Sequence, residues 1–348
     1  MRAMKTKWLS SPRNTSVVQV MDGAASWPRF STAVLIAASL TGMASAALMP
    51  PQYQDAVVAL GENQLQFLPN GQCVIQWFTE GTGFLYGFLV EDNPDPTKRR
   101  YEVYLVTNRH VIEEHVASQA AAKLQHAQPT PSCPIPSPVD ETSISARLNP
   151  LNSTSEGRQF PLSIKEWFFD SNGAIDVAAI RLNAGFLKEQ GLQNIFFNND
   201  NMAANKHKLK SLGVSAGDGV FVLGFPMNLA GVQRNYVIVR QGCIARISDM
   251  LDGTSPMFLL DAFIFPGNSG GPVVLKPEVV SVSGTTAQNQ AYLIGFVQSY
   301  QPYIDLAISP QTRRPRVQFE ENSGLAQVLP TDVIDEAIIA WRSALPNP

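Results

Sequence analysis

The stretch DAFIFPGNSGGPVVL, Asp261 to Leu275, decides the fold. Its centre, Gly267-Asn268-Ser269-Gly270-Gly271-Pro272, places one serine between glycines, directly before the β-branched pair Val273-Val274. Glycine has no Cβ, so it accepts the φ/ψ values of a tight loop and lets a second backbone come close. A serine held in such a loop presents its hydroxyl and neighbouring backbone N–H groups to one carbonyl carbon. That is what a nucleophile with an oxyanion site requires. Glycine-rich turns also arise for purely structural reasons, so the residues upstream must decide between the two readings.

With 348 residues, 45% of them hydrophobic and 16% charged, the chain can bury a substantial core in two domains or one large one. A net charge of −3 shows no basic footprint, so nucleic acid is not expected as a partner. Cys73, Cys133 and Cys243 form neither a CxxC pair nor a zinc pattern, and no metal or cofactor is expected. One disulfide is allowed by the count; a disulfide framework is not.

Near the N-terminus, Arg29 precedes the apolar run Ala33-Val34-Leu35-Ile36-Ala37-Ala38, which continues to Ala44-Ser45-Ala46. A basic flank, a short apolar core and a small-x-small ending describe a secretory signal cleaved after Ala46. Secretion or a periplasmic location follows. The run is short against the ~20 residues of a membrane span, although stretching it from Phe30 to Met49 gives a weak anchor. The polar segment before it is long for a signal. Met21 as the true start, a membrane tether and a cytoplasmic protein therefore stay open as alternatives.

From Gln72 onward the pattern is one of short strands: residues 73–78, 81–90, 101–107, 143–148, 162–169 and 176–182. Val111 to Ala127 reads as helix, and Gln128 to Asp140, with five prolines, as an extended loop. Residues 184–212 read as a polar connection with some helix. A second set of strands covers 220–223, 236–239, 244–247, 257–260, 273–275 and 292–297. Thr331-Asp332 before Val333, Ile334, Ala337, Ile338 and Trp341 marks a capped closing helix. The expected fold class is therefore all-β, with two barrels and a C-terminal helix. Its expected division is a signal segment (1–47), a linker (48–71), a first barrel (72–190), and a connection, second barrel and closing helix (191–343).

A serine hydroxyl needs a base near neutral pH. The chain offers His110, His115, His126 and His207. His110 stands where a strong strand gives way to a helix, a rigid position. His115 points elsewhere on that helix, His126 adjoins the proline-rich loop, and His207 sits in a Lys-rich run. Asp176 opens the apolar strand Val177 to Ile180, where a buried-edge carboxylate needs a partner. Alone, it reads better as a turn residue after Gly173.

Chain order separates the candidate folds. Gly267-x-Ser269-x-Gly271 satisfies the G-x-S-x-G pattern of α/β-hydrolase esterases, a fold that needs a histidine and a helix after the serine. No histidine follows Ser269, and Pro272-Val273-Val274 reads as strand. A subtilisin-like order of Asp176, His207 and Ser269 fails on the same missing helix. The order His110, Asp176, Ser269 remains.

Residues 106–111 (VTNRHV), 176–180 (DVAAI) and 266–272 (PGNSGGP) resemble the three catalytic motifs of trypsin-like serine peptidases, and most resemble the bacterial Deg-type branch. Gly81-Thr82-Gly83-Phe84, Leu223-Gly224-Phe225-Pro226 and Gly324-Leu325-Ala326 match as well, so the similarity spans roughly 72–340. The resemblance implies a chymotrypsin-like double six-stranded β-barrel. It also implies an endopeptidase acting on protein or peptide substrates, with His110, Asp176 and Ser269 catalytic. Gly267, Asn268 and Ser269 would then form the oxyanion loop. Phe263, Phe265, Gln298, Ser299 and Tyr300 fall on its substrate-binding positions.

Phe263 stands where relatives that cut after Arg or Lys carry an acid. That substitution implies an apolar or small residue before the cut, unless Phe263 is ordinary core facing away from the cleft. Asn268 replaces the aspartate that pairs with a newly cut N-terminus in zymogen-type trypsins, so activation by that route is not expected. The Deg-type branch usually adds PDZ domains, and this sequence has no room for one before Pro348. Regulation by a PDZ sensor is therefore not expected. A catalytically silent barrel used for binding is the alternative reading, and the oligomeric state is open.

Overall fold

The computed structural model describes residues 48–344, apart from 69, 71, 125–142, 171–172 and 279–286. The proposed signal, His126, Cys133 and the proline-rich loop lie outside the described residues. Strands of the first half are β1 (Val57–Phe67), β2 (Cys73–Glu91), β3 (Arg100–Thr107), β4 (Ser143–Leu148), β5 (Arg158–Ser163), β6 (Phe168–Phe169), β7 (Ala178–Leu182) and β8 (Phe197–Asn198). Helix α1 (Arg109–Leu124) follows β3, and α2 (Ala184–Glu189) follows β7. The sheet runs β5-β4-β1-β2-β3-β7-β6, with β8 paired to β2.

Helix α3 (Lys206–Leu212) leads into the second half. Its strands are β9 (Gly219–Gly224), β10 (Ile238–Arg246), β11 (Phe258–Asp261), β12 (Pro272–Leu275), β13 (Tyr292–Ile308) and β14 (Pro315–Pro330). The short α4 (Ser248–Leu251) precedes β11, and α5 (Asp332–Ala344) follows β14. The six strands close as β10-β11-β14-β13-β12-β9. This is the all-β, chymotrypsin-like double-barrel architecture, with its closing helix, that the sequence leads one to expect.

Side-chain alternation along the strands builds three cores. Leu85 and Leu105 point into the first half beside Val111 and Ile112 of α1. Their neighbours Phe84, Tyr86, Tyr104 and Val106 point the other way, into a core shared with Leu223, Phe225, Phe296 and Ile338 of the second half. A third cluster, including Val222, Ile244, Leu260, Ile294 and Val328, fills the second barrel. Because β2 and β3 carry bulky residues on both faces, they serve as inner wall and inter-barrel wall at once.

Several expectations need correction. Residues 48–71 are not a linker throughout: 57–67 form β1, a central strand between β4 and β2. Its run Val57-Val58-Ala59-Leu60 is buried on both faces, which removes the alternation that marks a half-exposed strand. The first sheet has eight strands rather than six and does not close among the described residues. The stretches around 236–239 and 244–247 fuse into β10. Strand β14 was not expected at all, since RVQFEENS carries only two apolar residues, Val317 and Phe319, and acquires its partners from β13 and β11.

Cys73 is disulfide-bonded and Cys243 is a free thiol. No helix among the described residues is long and apolar enough to cross a membrane.

Candidate active site

Strand β3 ends at Thr107, and α1 starts two residues later. The first N–H groups of a helix have no intrahelical acceptor. Asp176 supplies one: its Oδ1 accepts from the His110 backbone N–H at 3.0 Å, while its Oδ2 lies 2.6 Å from His110 Nδ1. A carboxylate facing Nδ1 can only accept, so Nδ1 carries the proton and Nε2 is the basic nitrogen. Pairing of Thr107 with Ala178 brings these residues together across a sequence separation of 66. Buried Asn108 completes the arrangement, its Nδ2 donating to the Asp176 carbonyl at 2.9 Å. Burial pulls the His110 pKa down. The hydrogen bond and charge of Asp176, helped by Glu114 and Glu113, outweigh it, and the pKa lies above the ordinary 6.5.

The serine loop is two successive turns. Asn268 N–H donates to the Phe265 carbonyl at 2.9 Å, and Gly271 N–H donates to the Asn268 carbonyl at 2.8 Å. Gly267 (φ 96°) and Gly270 (φ 80°) take the third positions, where a type II turn demands positive φ. A Cβ on Gly270 would fall 2.0 Å from the Thr82 carbonyl oxygen and 2.3 Å from Thr107 Oγ1. The loop therefore sits directly on the end of the strand that delivers His110. Ser269 Oγ, half-buried, donates to the Gln298 carbonyl at 3.4 Å rather than to His110.

Thr82 ties the halves together. Its N–H donates to the Ser269 carbonyl (2.9 Å) and its Oγ1 donates to the Gly267 carbonyl (2.6 Å). The same Oγ1 accepts from Phe225 N–H (3.1 Å), and its carbonyl accepts from Thr107 Oγ1 (2.7 Å). The sequence reading stopped at the glycines flanking Thr82. Those glycines, which mark close backbone approach, were the available signal for it. Thr107 and Asn108 left no comparable mark.

Of the three residues expected to form an oxyanion loop, Asn268 has its N–H engaged by the Phe265 carbonyl, while the N–H groups of Gly267 and Ser269 have no acceptor among the described residues. Met227 N–H holds the Pro266 carbonyl at 2.7 Å. The trans peptide then turns the Gly267 N–H to the opposite side. Asn268 is fully buried. Its Oδ1 accepts from Phe265 N–H at 3.0 Å, and its Nδ2 has no partner among the described residues.

Phe263 is 53% exposed, and its ring stands against Gly324, so it is not core. Phe265 stacks under the Arg240 guanidinium, 5.4 Å from the ring centre. Gln298 offers its carbonyl to Ser269. Ser299 Oγ is bonded to Gln327 and Tyr300 OH to Glu320, both on β14. His115 is buried between Glu80 (Nδ1, 2.7 Å) and the Ser143 carbonyl (Nε2, 3.0 Å), with Glu62 nearby. Both ring nitrogens are occupied, which makes this cluster a buried ion pair remote in role from His110.

A model of the trypsin-like peptidase domain matches residues 81–280, more than half of the chain, and the chain belongs to that family. Among solved structures it is similar to Rv3671c from M. tuberculosis H37Rv in an inactive mutant form. That likeness has 12% identity over 85% of this chain and 91% of that one, with a TM-score of 0.36. It is also similar to the inactive form of the Rv3671c protease, with 14% identity over 83% and 89% and a TM-score of 0.35. No curated protein sequence matches.

Proposed function

We propose that this protein is a serine endopeptidase that hydrolyses peptide bonds through an acyl-enzyme. Ser269 Oγ attacks the carbonyl carbon while its proton passes to His110 Nε2. The C–N bond then breaks, and the proton leaves on the amine. Water, deprotonated by the same nitrogen, releases the acid and restores Ser269. Asp176 orients His110, and the N–H groups of Gly267 and Ser269 stabilise the oxyanion. The observation that carries this reading is the double hold of Asp176 on His110, beside a serine loop with two unengaged N–H groups.

The exposed ring of Phe263 supports apolar or small residues before the cut, because no carboxylate at that position offsets desolvation of a substrate cation. The three motifs support kinship with the Deg-type branch. The signal-like segment and the disulfide at Cys73 support export to an oxidising compartment. One feature favours a second reading, a silent binding barrel: Ser269 Oγ is bonded to Gln298 instead of His110. Catalytic hydrogen bonds often align only once substrate is bound, which weighs for the enzyme.

The readings part on one experiment. Wild-type protein should cleave casein and react with an organophosphorus fluoride, and Ser269→Ala should lose both. Labelling that survives Ser269→Ala, or a wild type inert to the reagent, would refute the proposal. A peptide library resolves specificity, and cleavage confined to Arg or Lys would overturn the role given to Phe263.

A further inference from the structure

Beyond the closed barrel, β13 and β14 continue as a two-stranded arm. From Pro302 opposite Asn322 to Ile308 opposite Pro315 they pair, among the described residues, only with each other. Strand β12 accompanies β13 no further than Phe296, and β11 accompanies β14 no further than Leu325. A lone two-stranded ribbon is marginally stable in water. This one also leaves Tyr303, Ile304, Leu306, Ile308, Val317 and Phe319 about half exposed, at 47–60%.

The two free edges differ. Pro302 lies on the β13 edge, where its missing N–H blunts strand addition. Arg316 to Asn322 on the β14 edge contains no proline. Charge on that edge is ordered, with Arg313, Arg314 and Arg316 toward the tip and Glu320 and Glu321 toward the barrel. Among the described residues none of the five forms an ion pair. Tyr300 OH holds the Glu320 carboxylate in place.

We propose that the β14 edge binds a second copy of this chain, the two edges pairing antiparallel about a two-fold axis at Gln318. In this register Arg316 of each copy faces Glu320 of the other. On the opposite face, Val317 meets Phe319. Both relationships are reciprocal, as a two-fold interface requires. The arms become one four-stranded sheet that brings Val317 and Phe319 of the two copies into contact and pairs the open backbone edge. A one-residue slip sets Arg316 against Phe319 in one direction and Glu321 in the other, and breaks the Val317–Phe319 pair in both. The register centred on Gln318 therefore keeps both relationships where a slipped one does not.

Sedimentation equilibrium of the full chain should show a monomer–dimer equilibrium that weakens with salt. Arg316→Glu should raise the dimer Kd roughly tenfold or more, since symmetry repeats the mismatch. The double variant Arg316→Glu/Glu320→Arg should return it to within about threefold of wild type. Gln318→Cys, on the axis, should cross-link under mild oxidant, while Ser323→Cys at the arm root should not. Circular dichroism checks that each variant is folded. A chain that stays monomeric at roughly 100 μM, or a dimer insensitive to Arg316→Glu and not cross-linked through Gln318→Cys, overturns the proposal. So does a monomer whose arm variants change only peptide cleavage, because the arm would then serve substrate.

Discussion

The carboxylate of Asp176 holds His110 at two points, the backbone N–H through Oδ1 and the ring Nδ1 through Oδ2. One side chain thereby caps the first turn of α1 and sets the tautomer of the imidazole. Asparagine has only one accepting atom, so Asp176→Asn either gives up one of these contacts or donates to Nδ1 and forces the wrong tautomer. Under the proposed mechanism kcat should fall about 10⁴-fold. Steady-state kinetics on a fluorogenic peptide, with a folded far-UV spectrum as control, measure it. A loss below about tenfold would remove Asp176 from the machinery.

The pH profile should carry the same signature. Under the proposed mechanism His110 works as a neutral base, and its pKa lies above 6.5. The kcat/KM should therefore rise with pH through an inflection above that value, and Asp176→Asn should move the inflection down. The stability sign is opposite. A raised histidine pKa contributes stability that is fully present below 6.5 and is lost as pH rises through the folded-state value.

Thr82→Val keeps the shape of the side chain and removes its hydroxyl. The Gly267 carbonyl loses its donor and Phe225 N–H its acceptor, both in buried surroundings. Two unsatisfied buried groups should cost about 2–4 kcal/mol, read by urea denaturation. Activity should fall further than global stability explains, because the same bond positions the serine loop. A variant with wild-type stability would show that these bonds do not anchor the loop.

Asp335 on α5 accepts from Tyr86 OH at 2.9 Å and from Asn199 at 3.2 Å. Burial pushes its pKa from 3.8 up to about 6. The folded state thus holds this proton more tightly than the unfolded chain, and stability contributed here declines as pH rises from about 4 to about 6. Asp335→Asn, which still accepts the tyrosine proton, should raise Tm at pH 8 and leave it unchanged near pH 4. An unchanged Tm at pH 8 would show that the buried charge has no cost.

Much of the candidate site was legible because its chemistry uses few residue types in a fixed order. With no histidine after Ser269, one fold accommodated all three residues. Strands β3 and β7 were legible through their β-branched and aromatic runs, and β2 as two shorter pieces, 73–78 and 81–90, that the structure joins into Cys73–Glu91. Strand β1 was hidden because burial on both faces erases alternation, and β14 because its polar residues become a strand only beside β13. The function of Thr82 was invisible for a related reason: a threonine in a strand is ordinary until its four hydrogen bonds to the serine loop, Phe225 and Thr107 are counted.

The chain by itself determined the all-β class, the candidate residues and their order, since local propensity and residue chemistry are properties of short segments. Only the tertiary structure decided what those residues meet. Among the described residues it left Gly267 and Ser269 with unengaged N–H groups and gave the N–H of Asn268 to the Phe265 carbonyl. It also exposed Phe263, which the sequence had left between pocket and core, and carried β13 and β14 out of the barrel as an open-edged arm. Each of these depends on contacts between segments far apart in the chain, and the free energy of such contacts has no local signature.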